Sequence, residues 1–382
     1  MNSLYEYFIE LEDFRDERGK KHKLVDVIVM TVYGIICGYT DFYNIADFLD
    51  IKKDYFTNLL KLENGTPSHD TLSRVFSLID PDKFMEIFIK WIKDSVEEKF
   101  GRIINIDGKA IKSATTIIPG QKRNPPYIVS AFLAEVGISI GQVKVSDKSN
   151  EITAIPELLD LINIKDAIIT IDSIGTQEKI INKIVSKEGH YCFNVKDNQR
   201  FLFDDIKTYF DYELNDKSSN DLIYSYTLDK DHGRIERREY FLSYEVNCIH
   251  NLKDKWQSVK TIGMVRNYRE VKDEVTIDDK FYIMDTTMSM SLFKQSTRGH
   301  WAIENNLHWK LDVIFDEDHS RSRVKDSIIN LATVRKFVFN TIKTDETWGK
   351  VPFQRKITRY NHDFNNIENL IFQVIPSNFN LT

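Results

Sequence analysis

Residues 102–111 read RIINIDGKAI, and residues 166–172 read DAIITID. Each is a short β-branched run that meets an aspartate, Asp107 in the first and Asp172 in the second. Apolar runs without polar alternation fit strands covered on both faces of a sheet. A small residue follows each acid, Gly108 or Ser173, so each aspartate is expected to end its strand and open a turn. Working outward, PPYIVSAFLAEVGISIGQVKV (125–145) reads as two more strands and EITAIPELLDLI (151–162) as a helix. Gln177 to Lys187 reads as another helix and HYCFNVKDN (190–198) as another strand. Such alternation predicts an α/β core.

Upstream, residues 1–100 read as all-helical. Leu24, Val27, Ile28, Val32, Ile35 and Ile36 recur at helical spacing, and Phe42 to Leu49 extends the pattern. In GTPSHDTLSRVFSLID (65–80), Gly65 and Pro67 break the chain and Ser68 or Asp70 caps a helix. DKFMEIFIKWIKDSVEEKF (82–100) is a long amphipathic stretch. The apolar run from Val27 to Tyr39 is too short to span a bilayer. The acidic start MNSLYEYFIE lacks the basic and apolar regions of a secretory signal. No membrane partner and a cytoplasmic location are therefore expected.

Downstream, about 211–290 is polar and rich in aromatic strand candidates: LIYSYTL (222–228), RREYFLSYEV (237–246), VKTIGMV (259–265) and FYIMDTT (281–287). This reads as a β-rich insertion. Helical spacing returns from Ser296, with Ser296 or Thr297 as the cap, and Asp326 to Lys343 reads as a strong amphipathic helix. The tail after Trp348 is less regular. The division expected is a helical N-terminal domain over 1–100, a catalytic domain over 101–345 and a C-terminal tail over 346–382.

Composition bounds the chemistry. With 42% hydrophobic and 29% charged residues, the chain has enough apolar material for a core without disulfides. Cys37, Cys192 and Cys248 form no CxxC pair, which argues against a thiolate zinc site and fits a reducing compartment. The net charge of −6 is unevenly spread. Residues 1–100 carry 13 Lys and Arg against 19 Asp and Glu, whereas 101–382 carry 39 of each. Residues 101–134 hold Arg102, Lys109, Lys112, Lys122 and Arg123 against Asp107 alone. Affinity for a polyanion would have to rest on such local basic surface.

Carboxylates at the ends of adjacent buried strands point into one crevice. Two that close repel each other unless a cation joins them. Hard oxygen ligands without a His or Cys cluster favour Mg²⁺ or Mn²⁺. Each aspartate taken singly also reads as an ordinary turn former. A third acid, Glu304, lies in STRGHWAIENNLHWKLDVIFDEDHSRSR (296–323). There Trp301, Glu304, His308 and Leu311 fall on one face by helical spacing. By spacing alone Glu304 is equally a surface carboxylate, His308 a hydrogen-bonded core histidine, and Trp301 and Trp309 packing residues.

Taken in order, INIDGKAIKSA (104–114), ITIDSIGTQEKI (169–180), YCFNVKDNQ (191–199), HGRIERREY (232–240) and RGHWAIENNLHWKLDVIFDEDHSRSR (298–323) resemble successive motifs of the H-repeat-associated insertion-sequence family of DDE transposases. NGTPSHDTLSRVFSLIDP (64–81) resembles that family's associated N-terminal domain, so the likeness runs from about residue 5 to 345. The resemblance implies a ribonuclease H-like catalytic core and a catalytic, metal-holding triad of Asp107, Asp172 and Glu304. It implies Mg²⁺-dependent (or Mn²⁺-dependent) cleavage and strand transfer on double-stranded DNA, with Asp107 bridging two metals. A homodimer in the transposition complex is expected with it.

Lys109, Lys112 and Lys196, close in sequence to the active strands, are candidates for phosphate contacts, as are Arg234 and Arg298. Arg234, Arg237 and Arg238 equally fit pairing with Asp231 and Glu236. The helix from Ser68 to Leu78 is a candidate reader of the element's ends, although Arg74 is its one basic residue and an assembly role fits nearly as well. Related transposases carry Arg four residues before the glutamate and Lys seven after it; here these positions hold His300 and Leu311, with Arg298 and Lys310 nearby. His190 stands where the family has an acid. Two other readings compete: a ribonuclease H-like nuclease without strand transfer, and a domesticated, non-catalytic DNA-binding protein. The second would be marked by a lost triad member, and none is lost.

Overall fold

The structure is a computed structural model that describes residues 3–95, 102–114, 125–145, 150–216, 221–231, 234–271, 274–320 and 324–373. Nine strands run through them: β1 (Ile103–Ala110), β2 (Tyr127–Leu133), β3 (Ile138–Val145), β4 (Ile168–Ile171), β5 (His190–Val195), β6 (Ile223–Asp231), β7 (Arg234–Ser243), β8 (Thr261–Val271) and β9 (Glu274–Met284). The chain is mixed α/β. It forms two compact units, neither continuous in sequence: 1–98 with 108–150 and 304–382, and 99–107 with 151–303.

The first unit is built on the helix Ser327–Thr344. Read from sequence as amphipathic, this helix is buried on every side. Its apolar residues meet the N-terminal helices: the Phe337 ring lies 5.0 Å from that of Phe8, 4.8 Å from Phe88 and 5.1 Å from Trp91. Its polar residues are satisfied inside. Asn340 acts like a strand partner to β3, accepting from the Ser139 N–H at 2.9 Å and donating to the Ser139 carbonyl at 2.7 Å. The Asn330 amide donates to the carbonyls of Phe76 (2.8 Å) and Ile79 (2.9 Å), satisfying carbonyls at the end of the helix His69–Phe76. At the other end of that helix Ser68 Oγ accepts from the Thr71 N–H, so Ser68 is the cap. The polar positions that suggested a solvent face are thus internal fasteners.

Around this helix stand the helices Leu4–Ile9, Leu24–Ile36, Phe42–Ile51, Lys53–Leu60, His69–Phe76 and Pro81–Ser95. The Leu24–Ile36 helix is almost wholly buried, and no helix among the described residues is long and apolar enough to cross a membrane. The tail is more regular than expected, for Phe353–His362 and Phe364–Phe372 are both helices. Pro352 and Asp363 precede them, and the Phe364 ring lies 5.0 Å from Tyr55 and 5.9 Å from Phe48. Strands β2 and β3 form an antiparallel hairpin beside the end of β1, in the order β3-β2-β1.

In the second unit the order is β1-β4-β5-β9-β8-β7-β6. Strands β1, β4 and β5 are parallel, and the paired stretches Ile103–Ile106 and Ile168–Ile171 are buried, as strands covered on both faces must be. From β5 onward the pairing is antiparallel. Adjacent residues of β9 face opposite helices. Phe281 meets Phe203 and Phe210 of the helix Arg200–Asn215, while Tyr282 meets Phe293 of the helix Met290–Ala302. Gly263 permits the second contact, since a Cβ there would lie 2.5 Å from the Phe293 ring.

Ser289, and neither Ser296 nor Thr297, caps the Met290–Ala302 helix. Thr297 sits inside it with its hydroxyl donating back to the Phe293 carbonyl at 2.9 Å. That internal bond is what lets a cap-like residue occupy a helix interior.

Phe337→Ala removes the ring shared by four aromatic neighbours, Phe8, Phe84, Phe88 and Trp91, from the centre of the first unit. It is expected to lower the unfolding free energy by about 3–5 kcal/mol, read from urea denaturation of the full chain.

Candidate active site

The two aspartates are placed by strand register. In the parallel pair β1 and β4, Ile103 to Ile106 lie opposite Ile168 to Ile171. Asp107 and Asp172 each follow the last residue of that ladder, so they stand side by side on strands about 4.8 Å apart. Only Asp172 ends its strand. Asp107 lies inside β1, which runs on to Ala110, and Asp-Gly is here no turn. What stops at Ile106 is the pairing with β4; the chain continues straight until the Ile111 N–H bonds to the Pro126 carbonyl at 2.9 Å.

Asp172 opens a single 3₁₀ turn, Ser173–Gly175. Its Oδ1 accepts the N–H groups of Ile174 (3.1 Å) and Gly175 (3.3 Å), and Oδ2 takes neither. The turn packs so tightly on the strand that a Cβ at Gly175 would fall 2.2 Å from Ile171 Cγ2. Two residues below, on the same strand faces, lie Asn105 and Thr170. The Thr170 hydroxyl donates to Asn105 Oδ1 at 2.8 Å, and the Asn105 amide donates to the Gly299 carbonyl at 2.5 Å. Asn105 thus ties both aspartate strands to the helix Met290–Ala302. Sequence reading missed this pair. Its available signal was a polar residue two positions before each aspartate in a run otherwise apolar.

Glu304 lies on the π-helical turn Ile303–His308 that follows this helix, and it is exposed. The wider turn breaks the face expected from α-helical spacing: Trp301 (54% exposed) and Glu304 face solvent, whereas His308 and Leu311 are buried. Trp309 is also outside the core, at 53% exposed. Irregular turns of this kind recur at functional positions. Among the described residues no three His, Cys, Asp or Glu side chains are gathered closely enough to hold a metal ion.

The candidate DNA contacts divide into two kinds. Lys109 (11% exposed) is enclosed by carboxylates: its Nζ pairs with Asp312, with Glu317 at 2.9 Å and with Asp318 at 3.5 Å. Lys112 extends the cluster to Asp318 at 2.7 Å from an exposed position. By contrast, Lys196 is exposed on a turn bonded to the one after Asp172, where Asn198 donates to the Ser173 carbonyl (2.6 Å) and Gln199 to that of Thr176 (3.0 Å). Arg298 is half exposed and lies 3.4 Å from Asp229, which Arg238 also holds at 3.0 Å. Arg234 stands opposite Asp231 in the β6–β7 register. Arg237 pairs with Glu239, and Arg238 with Glu236 as well as Asp229. His190 has its acid after all, from another strand's end: Nδ1 lies 3.0 Å from Asp285.

Glu317, 2% exposed, is the centre of the charge cluster. Burial alone would push its carboxyl up, but Lys109, Lys336 and Arg335 hold it down at about 2. Burial pulls the Lys336 amine down to about 8 despite Glu317 nearby. Burial also acts to lower Lys109, yet Glu317 and Asp312 outweigh it and leave its amine above the ordinary lysine range.

Residues 98–340 match the family described as Transposase DDE domain, and residues 5–92 match the one described as DDE_Tnp_1-associated. The chain belongs to the DDE transposase family. YhhI of Escherichia coli (strain K12), named as an H repeat-associated transposase, is 31% identical over 376 residues, covering 97% of this chain and 98% of its own length. YncI of Escherichia coli O157:H7, also named as a transposase, is 34% identical over 346 residues, covering 90% of this chain and 88% of its own. The piggyBac transposase in its synaptic complex with hairpin DNA superposes with a TM-score of 0.42 at 12% identity over 98% of this chain and 83% of that one, a likeness too slight to establish a fold. The family resemblance of the motifs is thus membership, and the chain is a DNA transposase by family.

The Glu317 carboxylate is expected to stabilise this transposase most above pH 4.5, its ordinary value, with the gain lost as the pH falls through about 2. Glu317→Gln, which leaves buried cations without their anion, is expected to cost about 3–5 kcal/mol at neutral pH and to remove this acid-side dependence. Urea titrations across that pH range read both effects; Lys112→Met, at the exposed end of the cluster, serves as the near-neutral reference.

Proposed function

We propose that the chain cuts and rejoins double-stranded DNA at the ends of an insertion sequence, with Asp107, Asp172 and Glu304 as the catalytic carboxylates on a ribonuclease H-like core. The observation that carries this reading is the β1–β4 register, which sets two family-motif aspartates side by side at the end of one buried ladder. The donor chemistry suits a divalent ion of the Mg²⁺ or Mn²⁺ kind: Asp107 and Asp172 are hard oxygen ligands on neighbouring strands, and a cation relieves the repulsion of two such like charges. Asp172, with one oxygen engaged by its turn, keeps the other for such an ion. When bound, the ion supplies charge neutralisation for the attacking and leaving oxygens of an in-line displacement.

The protein's own part is orientation. Asn105 and Thr170 lock the two strands beneath the aspartates, and the Gly175 turn fixes the Asp172 carboxylate. Lys196 and Arg298 are assigned to phosphate contacts because they remain accessible, with Arg234 in the same role on the β-rich insertion. Lys109 and Lys112 are instead paired with the carboxylates of Asp312, Glu317 and Asp318. In this reading residues 1–100 are the helical associated domain, 101–345 the catalytic domain and 346–382 the tail. Two copies act together on the element's paired ends, in the cytoplasm.

Asp107→Asn is expected to abolish Mg²⁺-dependent cleavage of an inverted-repeat duplex to background while leaving thermal unfolding and DNA affinity near wild type. A second assay with a pre-cut end tests joining. Full cleavage in the variant, or cleavage without strand transfer in the wild type, would defeat the proposal.

A further inference from the structure

We infer that Lys109 is a positioning residue for the Asp107 end of β1, clamped by Asp312, Glu317 and Asp318, and not a contact to DNA. The inference rests on the reading of Asp107 as a metal ligand. Three observations carry it. Lys109 lies two residues beyond Asp107 on the same strand, and because side chains alternate it stands on the same strand face. Its ammonium has three donors, and three carboxylates surround it, from Asp312, Glu317 at 2.9 Å and Asp318 at 3.5 Å. It is almost wholly buried, so reaching a phosphate would require it to leave Glu317, a carboxylate itself 2% exposed.

The anchors are not free to follow a moving lysine. Glu317 sits beside Arg335 (3.9 Å), and Arg335 donates to the Thr40 carbonyl at 2.9 Å. Next along that helix, Lys336 bonds to Gln142 of β3, whose amide donates to Thr333 at 2.8 Å. Below Lys109, Ile111 and Ala114 pack with Ile128, Ile328, Ile329 and Ala332. The clamp therefore fastens the far end of β1 to the most buried helix of the first unit. It also holds the segment eight residues beyond Glu304, through Asp312. Held by three carboxylates two residues beyond Asp107, Lys109 limits how far its own strand, and so the aspartate on it, can shift. Outer groups that orient a metal's ligands typically set its affinity by about 10- to 100-fold.

The test uses the full chain with Mn²⁺ as the probe, its free concentration read by electron paramagnetic resonance without DNA. Wild type and Asp107→Asn establish the site, Asp107→Asn being expected to lose tight Mn²⁺ binding. Lys109→Met is expected to weaken Mn²⁺ binding about 10- to 100-fold, and to raise the Mn²⁺ needed for half-maximal cleavage by the same factor. Its DNA affinity, and the slope of that affinity against salt, are expected to stay at wild-type values. A phosphate contact would instead lower that slope by about 1.

Lys109→Met strands a buried carboxylate, so the double variant Lys109→Met/Glu317→Gln separates stability from positioning. It is expected to be no more stable than Glu317→Gln, since Arg335 and Lys336 still lack their anion, while its Mn²⁺ affinity stays at the Lys109→Met level. Unchanged Mn²⁺ affinity in Lys109→Met, a reduced salt slope, or full recovery of Mn²⁺ affinity in the double variant would each overturn the inference. Mn²⁺ binding that is indifferent to Asp107→Asn would instead overturn the reading of the site on which it rests.

Discussion

Lys109 and Glu317 are opposite charges taken out of water together, and neither has a tolerable place without the other. Moving an ammonium or a carboxylate into a protein interior costs several kcal/mol unless a partner and hydrogen bonds replace the lost water. That requirement links parts of the chain more than two hundred residues apart: the end of β1, the acidic turn from Asp316 to Asp318, and the buried pair Arg335 and Lys336. The acidic turn begins at Asp316 in the left-handed conformation (φ 49°), which aspartate tolerates better than a branched residue would. Polar groups at this depth add less to net stability than their number suggests. Their effect is to admit one arrangement and penalise near misses.

The second unit meets a different constraint at the same strand. Where the parallel ladder stops, two aspartates stand on neighbouring strands, and because like charges so placed repel, the backbone beneath them has to hold their positions. Rigidity comes from below and from the side. Asn105 and Thr170 join the strands two residues down, and Asn105 binds the approaching helix at Gly299. The turn after Asp172 closes so tightly that only glycine fits at 175. Glu304 lies on a π turn, a local distortion of a kind that recurs at functional positions.

Charge distribution limits how such a protein holds DNA. Net charge is −6, and the basic stretch beside Asp107 that looked like a phosphate-binding surface is partly consumed by its own carboxylates. Cations left accessible, such as Lys196 and Arg298, sit near the active strands or on the helix leading to Glu304. In the proposed function, affinity comes from few contacts placed close to the chemistry, and salt dependence is correspondingly modest.

Several features were legible in the sequence because they depend on neighbours in sequence. The period of apolar residues marked the N-terminal helices, the continuous runs marked β1 and β4, and five ordered motifs marked the transposase family. What depends on neighbours in space was not legible. Polar residues on Ser327–Thr344 read as a wet face, yet Asn340 bonds to β3 and Asn330 to helix-end carbonyls, which no periodicity reveals. Asp107-Gly108 read as a turn, yet β1 continues, because pairing on only one side of it ends there. Lys109 read as a basic group for DNA, and tertiary structure surrounded it with acids drawn from two hundred residues away. Sequence by itself determined which groups are present and which strands and helices carry them. Folding decided which charges face solvent, because the cost of burying a charge is set by whatever else is buried beside it.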